Sequence, residues 1–309
     1  MALLLFAGFT VTLDGFLSAA NLLNIVRSVS VLGVLAAGMA IVVIGRGIDL
    51  SMISIMVVTV AIQLQVMHGG WSTGAAMALA VAIALGLGAM NGYMVAYAGV
   101  SALFATLASG AFIFGFVRSQ ILRQDSITLP DDATTLLALG SARVLGLPLD
   151  VLAFAFVVVL GWAALRWTRQ GRFLYLMGDN FQAARTTGIP VRPLIVVSFM
   201  ASAVLAWAAG LTSAISLQSV NTRIVNSTLL YDVILVVVIG GIGLSGGKGG
   251  MRNVVVGAFL IGVLLNGMTI LNLPNIHQNL IRSVILLAAI ILDGQLNPRD
   301  EQTSQQGDI

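Results

Sequence analysis

The chain has 309 residues, of which 58% are hydrophobic and 9% charged. Soluble domains carry roughly 25% charged residues, and one soluble core cannot hide this much apolar side chain. A single soluble domain is excluded. With a net charge of +3 and a pI near 9.8, the few basic residues read as topology signals, not as a nucleic-acid surface. The absence of cysteine removes disulfides, thiolate metal sites and cysteine nucleophiles. His68 and His277 stand apart from acidic neighbours at ligand spacing, so no metal site is expected.

Ten apolar segments follow in chain order: 1–17, 28–45, 50–67, 73–98, 101–117, 149–165, 194–216, 224–243, 253–272 and 276–292. The first opens Met1-Ala2-Leu3-Leu4-Leu5-Phe6 with no basic residue ahead of it, and reads as a retained span. From Leu50 to Val117, 68 residues pass without one Asp, Glu, Lys or Arg, enough for three crossings at about 20 residues each. Only helices or closed barrels satisfy the backbone in lipid, and these runs lack the alternation of barrel strands. The expected fold is all-α: a polytopic helical bundle of eight to ten spans, best set at ten, occupying 1–293 and followed by a polar tail at 294–309.

Arg166, Arg169, Arg172, Arg185 and Arg192 crowd into one stretch, which the positive-inside rule places in the cytoplasm. Ten spans then put both termini in the cytoplasm and Asp125, Asp131 and Asp132 outside. Arg118, Arg123 and Arg143 also fall outside, in mild conflict with the rule. Two related halves are suggested by Gly47-Ile48-Asp49-Leu50-Ser51 against Gly241-Ile242-Gly243-Leu244-Ser245, and by Asn91-Gly92 against Asn266-Gly267. Transporters are often built from such halves, with helices broken at matching positions.

Four features carry the chemistry. In the loop 168–193, Asp179 or Asn180 can cap a short helix over Phe181–Thr187, with Gly188 at its end and Pro190 beyond. Preceded by a Gly178 hinge and presenting the small Ala183 and Ala184, it is a rigid knob suited to a groove on a partner. The second, Gly240 to Gly250, imitates nucleotide motifs. Gly241, Gly243 and Gly246 fit G-x-G-x-x-G, but an uncharged span follows where the motif needs a βαβ unit and an acid. Gly247-Lys248 lacks the Ser or Thr of a phosphate loop. What remains is a flexible turn with no ATP site. Third, Arg46 and Asp49 are spaced to pair if their segment is helical. Fourth, Asn91, Thr106, Ser109, Ser213, Ser216, Asn266, Thr269 and Asn272 lie within spans and must face the bundle interior or a wet cavity. Uncharged hydroxyls and amides suit a neutral polyhydroxy solute, and they also serve interhelical hydrogen bonds. Gly88 and Gly92 form a G-x-x-x-G pair for helix packing.

Taken together, these motifs resemble the integral membrane permease subunits of bacterial ATP-binding-cassette importers for monosaccharides, the ribose type. The carrying residues are Gly47 to Ser51, Gly171-Arg172, Tyr175, Gly178, Asn180, Ala183-Ala184, Gly188-Ile189, Asp232, Ile234, Val238 to Gly241, Leu244 to Gly247 and Asn266-Gly267. The ordered match covers about residues 20–293. It departs where Arg46 and Asp179 replace Gly, Leu230 an acidic residue and Gly243 a Ser, so ribose specificity is not carried over.

The resemblance implies a permease without bond chemistry or catalytic residues, working by alternating access in a bacterial inner membrane. ATP and Mg would act on separate cytoplasmic ATPase subunits, leaving no cofactor in this chain. A second permease copy or paralogue and a periplasmic or lipid-anchored solute-binding protein complete the expected assembly. Coupling to the ATPase would fall to Arg169, Gly171, Arg172, Gly178, Asp179, Asn180, Ala183, Ala184 and Gly188. Asp49, Ser51, Asn91, Asp232 and Asn266 are candidates for the substrate pathway. Two rivals stand beside this reading. A branched-chain amino-acid permease of the same superfamily would need charge complements that are scarce here. An ion-coupled secondary transporter could use Asp49 and Asp232 as cation ligands. An intramembrane enzyme lacks every motif it would need.

Overall fold

The computed structural model describes residues 2–122, 124–144 and 146–296. Arg123 and the tail from 297 onward therefore lie outside the described residues. The fold is all-α apart from two small antiparallel strand pairs. In chain order it runs α1 (Ala2–Thr12), α2 (Ala19–Ile44), α3 (Met52–His68), α4 (Thr73–Ala96), α5 (Ala102–Gln120), β1 (Ser126–Thr128), α6 (Thr134–Ser141) and β2 (Arg143–Val144). It continues β3 (Leu147–Pro148), α7 (Leu149–Trp167), α8 (Arg169–Asp179), α9 (Phe181–Thr186), α10 (Val191–Leu217), β4 (Ser219–Asn221), α11 (Leu229–Ile239), α12 (Met251–Ile270) and α13 (Asn275–Leu296).

Among the described residues, seven helices are long and apolar enough to cross a membrane: α2, α4, α5, α7, α10, α12 and α13. The other three expected spans are shorter. At 1.5 Å per residue, the 11 residues of α1 and of α11 reach about 16 Å, roughly half of a ~30 Å hydrocarbon core. The 17-residue α3 is enclosed by protein along most of its length, from Met52 to Leu64. Outer faces are apolar, with Phe104, Phe112 and Phe116 on α5, Phe156 on α7 and Leu287 on α13 all exposed. Water would not tolerate that surface, whereas lipid does.

The centre is α2, α3 and α10, with α4 laid against α10. Gly88 and Gly92 make that approach possible: a Cβ on Gly88 would stand 2.7 Å from the Met200 Cα, and one on Gly92 2.6 Å from the Val196 Cα. The G-x-x-x-G pair is thus a packing device, as expected.

Contacts sort the helix ends onto two faces. One face gathers the C-terminal ends of α2, α4, α11 and α13 with the N-terminal ends of α3, α10 and α12. Its ties include Gly247 N to Ile44 O (2.9 Å), Leu244 N to Asp293 Oδ2 (3.0 Å) and the Arg192 guanidinium over the Tyr97 ring. The opposite face holds β1 paired with β4, Ser216 bound to Asp150 and His68 Nε2 against the Thr128 carbonyl. There Asp125 accepts from both Arg118 and Arg223. One carboxylate is thus shared by two guanidinium groups.

Candidate functional site

Two helices end in the same sequence and the same geometry. Val42-Val43-Ile44-Gly45 closes α2, and Val237-Val238-Ile239-Gly240 closes α11. In the first, Gly47 N bonds to Val42 O and Arg46 N to Val43 O, both at 2.9 Å. In the second, Ile242 N bonds to Val237 O at 3.0 Å and Gly241 N to Val238 O at 2.9 Å. Both are Schellman ends, which need a left-handed residue. Gly241 supplies it with φ 87°, and Arg46 with φ 69°. The breaks are therefore equivalent, but one residue out of the expected register: Gly241 corresponds to Arg46, and Ile242 to Gly47. The Asn-Gly pairs do not correspond: Asn91-Gly92 lies on the second helix after its break, and Asn266-Gly267 on the first.

The left-handed turn overrules the expected Arg46–Asp49 pair. Spacing of three places side chains together only on a helix. Arg46 instead reaches α8, where its Nε donates to Gly178 O and its Nη2 to Asp179 O, each at 2.6 Å. Asp49, fully buried, accepts from Ser51 N (3.1 Å), Ser51 Oγ (2.6 Å) and Ser202 Oγ (2.8 Å). Asn91 Nδ2 donates to Ser51 Oγ at 2.7 Å. Leu50 N donates to Thr106 Oγ1 at 3.0 Å. Groups from α4, α5 and α10 thus hold the first break in place, and Asp49, Ser51 and Asn91 come together there.

The remaining pathway candidates lie apart. Asp232 on α11 is bound by Arg282 Nη1 at 3.0 Å, and the same nitrogen donates to Thr228 Oγ1 at 2.7 Å. Asn266 exchanges hydrogen bonds with Asn21 at 2.7 and 3.0 Å. Ser202, Arg282 and Asn21 were invisible to sequence reasoning, because their partners are 50 to 245 residues away.

The segment after α7 forms two helices. The Thr168 hydroxyl caps α8 by accepting from Gly171 N at 3.0 Å. Asn180, rather than Asp179, caps α9 by accepting from Ala183 N at 2.9 Å. Gly188, with φ 82°, ends α9 through Ile189 N to Ala184 O at 3.0 Å. Gly178 is no hinge. It sits inside α8, and a Cβ there would fall 1.9 Å from Ile44 O and 2.4 Å from Gly247 N. Gly171 is similarly pressed on Ala164 O, and Ala184 is buried against its own chain. Arg169, Arg172, Asp179, Asn180, Ala183 and Gly188 are exposed.

One junction therefore unites three segments: the first break (Ile44, Arg46), the second break (Gly246, Gly247) and the end of α8 (Gly178, Asp179). The Tyr175 hydroxyl adds a bond to Gly249 O at 2.8 Å. Beside it opens a cavity of about 650 Å³ lined by Arg46, Ile48, Tyr97, Phe181, Arg185 and Arg192 among others. On the opposite face, Gln65, His68, Gln120, Gln124 and Thr128 line a polar cavity of about 550 Å³. Glutamines near helix ends were its only sequence signal.

A many-spanning helical chain, with two matched broken helices tied to a short capped helix, is a transport component of a membrane. Residues 21–290 match the family described as branched-chain amino acid transport system / permease component, and the chain belongs to that family. It is 32% identical over 297 residues to the ribose import permease protein RbsC of Escherichia coli, covering 96% of this chain and 92% of the relative. The ribose import permease protein RbsC of Haemophilus influenzae is 30% identical over 285 residues, covering 92% and 88%. The xylose transport system permease protein XylH of Escherichia coli is 30% identical over 359 residues, covering 97% and 91%. No solved structure matches the chain.

Proposed function

We propose that this chain is the membrane subunit through which an ATP-driven importer moves a monosaccharide or related small polar solute. The observation that carries the reading is the junction. It joins the exposed, capped α9 to both helix breaks through backbone contacts at Ile44, Gly178 and Gly247. In this reading, ATPase subunits in the cytoplasm grip α9, and ATP binding and hydrolysis there rock the junction. Bundle elements move with it and switch the pathway between outward and inward openings.

The sugar assignment draws on the ribose and xylose relatives and on the polar lining at the opposite face, which holds no Asp, Glu, Lys or Arg. A branched-chain amino acid would call for paired charges at its two ends. Asp232, a possible complement, is occupied by Arg282. The same pair argues against a coupling cation at Asp232. The arginine-rich face then lies in the cytoplasm of a bacterial inner membrane. Alternation of helix ends between the faces supports ten passes with both termini cytoplasmic, α1, α3 and α11 being the short ones. A second permease chain and a solute-binding protein complete the assembly.

The test is the purified complex with its ATPase and binding protein. D-ribose or D-xylose presented by the binding protein is expected to stimulate ATP hydrolysis. Stimulation by leucine and by no sugar overturns the sugar reading. Uptake into sealed vesicles driven by an ion gradient without ATPase overturns the whole class.

A further inference from the structure

We propose that Arg46 is a positioning residue which transmits movement of the α9 segment to the first helix break. This rests on the importer reading above and extends it to the route of coupling.

Position 46 demands a left-handed backbone, which any residue with a Cβ enters reluctantly. Gly241 fills the equivalent place in the second break. An arginine here sits against the local preference, so its side chain must supply something in return. What it supplies is visible in three contacts. The guanidinium donates to the carbonyls of Gly178 and Asp179 at 2.6 Å each. Those residues close α8, and Asn180, the cap of α9, follows directly. The aliphatic stem lies over the second break, so close that a Cβ on Gly246 would fall 2.4 Å from the Arg46 Cγ. A bidentate, planar donor fixes direction as well as distance, which an ammonium cannot.

The surroundings make this contact matter. Between α9 and the first break lies the cavity of about 650 Å³, with Arg46 on its wall. Side-chain packing cannot carry force across that space. A direct route runs through the junction, where the Arg46 side chain links the first break to the residues before α9; a second runs through α10, which follows α9 in the chain. Three residues after Arg46 stands Asp49, whose carboxylate organises Ser51, Ser202 and, through Ser51, Asn91. A pull on Arg46 thus arrives at the bonded centre of α3, α4 and α10.

The experiment uses the permease assembled with its ATPase in nanodiscs and follows hydrogen–deuterium exchange with and without the ATP analogue AMP-PNP. In the unaltered complex, nucleotide should change exchange in both 179–189 and 44–50. In Arg46→Gly, which restores the glycine expected of such a turn, 179–189 should still respond. The response of 44–50 should fall at least about fivefold, the lower end of typical intersite coupling. Arg46→Lys, with one donor group in place of the fork, should give an intermediate response. A response of 44–50 equal to the unaltered complex in both variants overturns the proposal while leaving the importer reading intact. No response of either segment in the unaltered complex removes the coupling reading and this proposal with it.

Discussion

The amide of Gly247 donates to the carbonyl of Ile44 at 2.9 Å, so one backbone bond joins the second helix break to the end of the first broken helix. The bond forms only because Gly178 leaves room beside it. Its α-carbon faces both partners, and a methyl there would stand 1.9 Å from the carbonyl oxygen. Gly178→Ala must therefore push backbone apart on two sides. Overpacking of this kind costs about 1–3 kcal/mol, and rigid neighbours place it at the top of that range or beyond. Gly188→Ala has open space and only a left-handed φ to contend with, about 1–2 kcal/mol. Thermal unfolding in nanodiscs should show the larger loss for Gly178→Ala, together with loss of ATPase activity in the assembled complex.

Ala184 separates folding from docking. The sequence places it on the α9 knob beside Ala183, but it is buried within its own chain, whereas Ala183 and Gln182 are exposed. An arginine at 184 would bring a charge into a packed site and should lower the unfolding temperature. Ala183→Arg should leave that temperature unchanged and abolish co-purification with the ATPase. Full co-purification of a folded Ala183→Arg chain would remove α9 from the ATPase contact.

These two alanines mark how far the sequence could be read. The caps of α9 were legible because capping is local: Asn180 and Gly188 act on residues within a few positions. The second break was legible from its glycines, whereas at the first the left-handed residue is Arg46, which no glycine pattern marks. The Arg46–Asp49 pairing failed because it assumed a helix where the backbone turns left-handed, and the true partners of Arg46 lie 132 and 133 residues on. The shortness of α1 and α11 was hidden as well. Their apolar runs extend past the helix ends into turns, and composition alone does not tell a turn from a helix.

Asp49 offers a direct contest between structural and ion-binding roles. As a structural acceptor it satisfies Ser51 N, Ser51 Oγ and Ser202 Oγ. Asp49→Asn keeps an oxygen for Ser51, and the Ser202 hydroxyl can rotate to accept from the new amide. Asp49→Ala leaves buried donors without a partner, at about 1–3 kcal/mol for each. We expect solute uptake to survive the Asn change and to fail, with lowered stability, in the Ala variant. Equal loss in both, with Asn fully stable, would point to a cation at Asp49.

On the face opposite the arginine cluster, Asp125 should give a pH signature. Hydrogen bonding from Arg223, and the charges of Arg223 and Arg118, hold its carboxyl below the usual range. A depressed folded-state pKa stabilises above the unfolded value, near 3.9 for Asp, and that gain disappears as pH falls through the folded value. The difference in unfolding temperature between the unaltered chain and Asp125→Asn should therefore stay constant from neutral pH down to about 5, then shrink below about 4. A difference that closes near pH 6 would mean that another group titrates there.

The Asp232–Arg282 pair provides the sharpest energetic test. The carboxylate is nearly enclosed, the guanidinium is mostly so, and Thr228 and Gln278 take up further donors of Arg282. Removing one partner of such a pair strands the other as a buried charge, at about 3–5 kcal/mol, whereas replacing both by apolar residues is often neutral or stabilising. Arg282→Met should therefore unfold at a much lower temperature, and Asp232→Leu combined with Arg282→Met should recover most of the loss. If the pair only joins α11 to α13, the double variant should also transport. If it is stable but transports nothing, then Asp232 or Arg282 acts in the pathway itself, and the charge on α11 serves passage of the solute rather than assembly of the bundle.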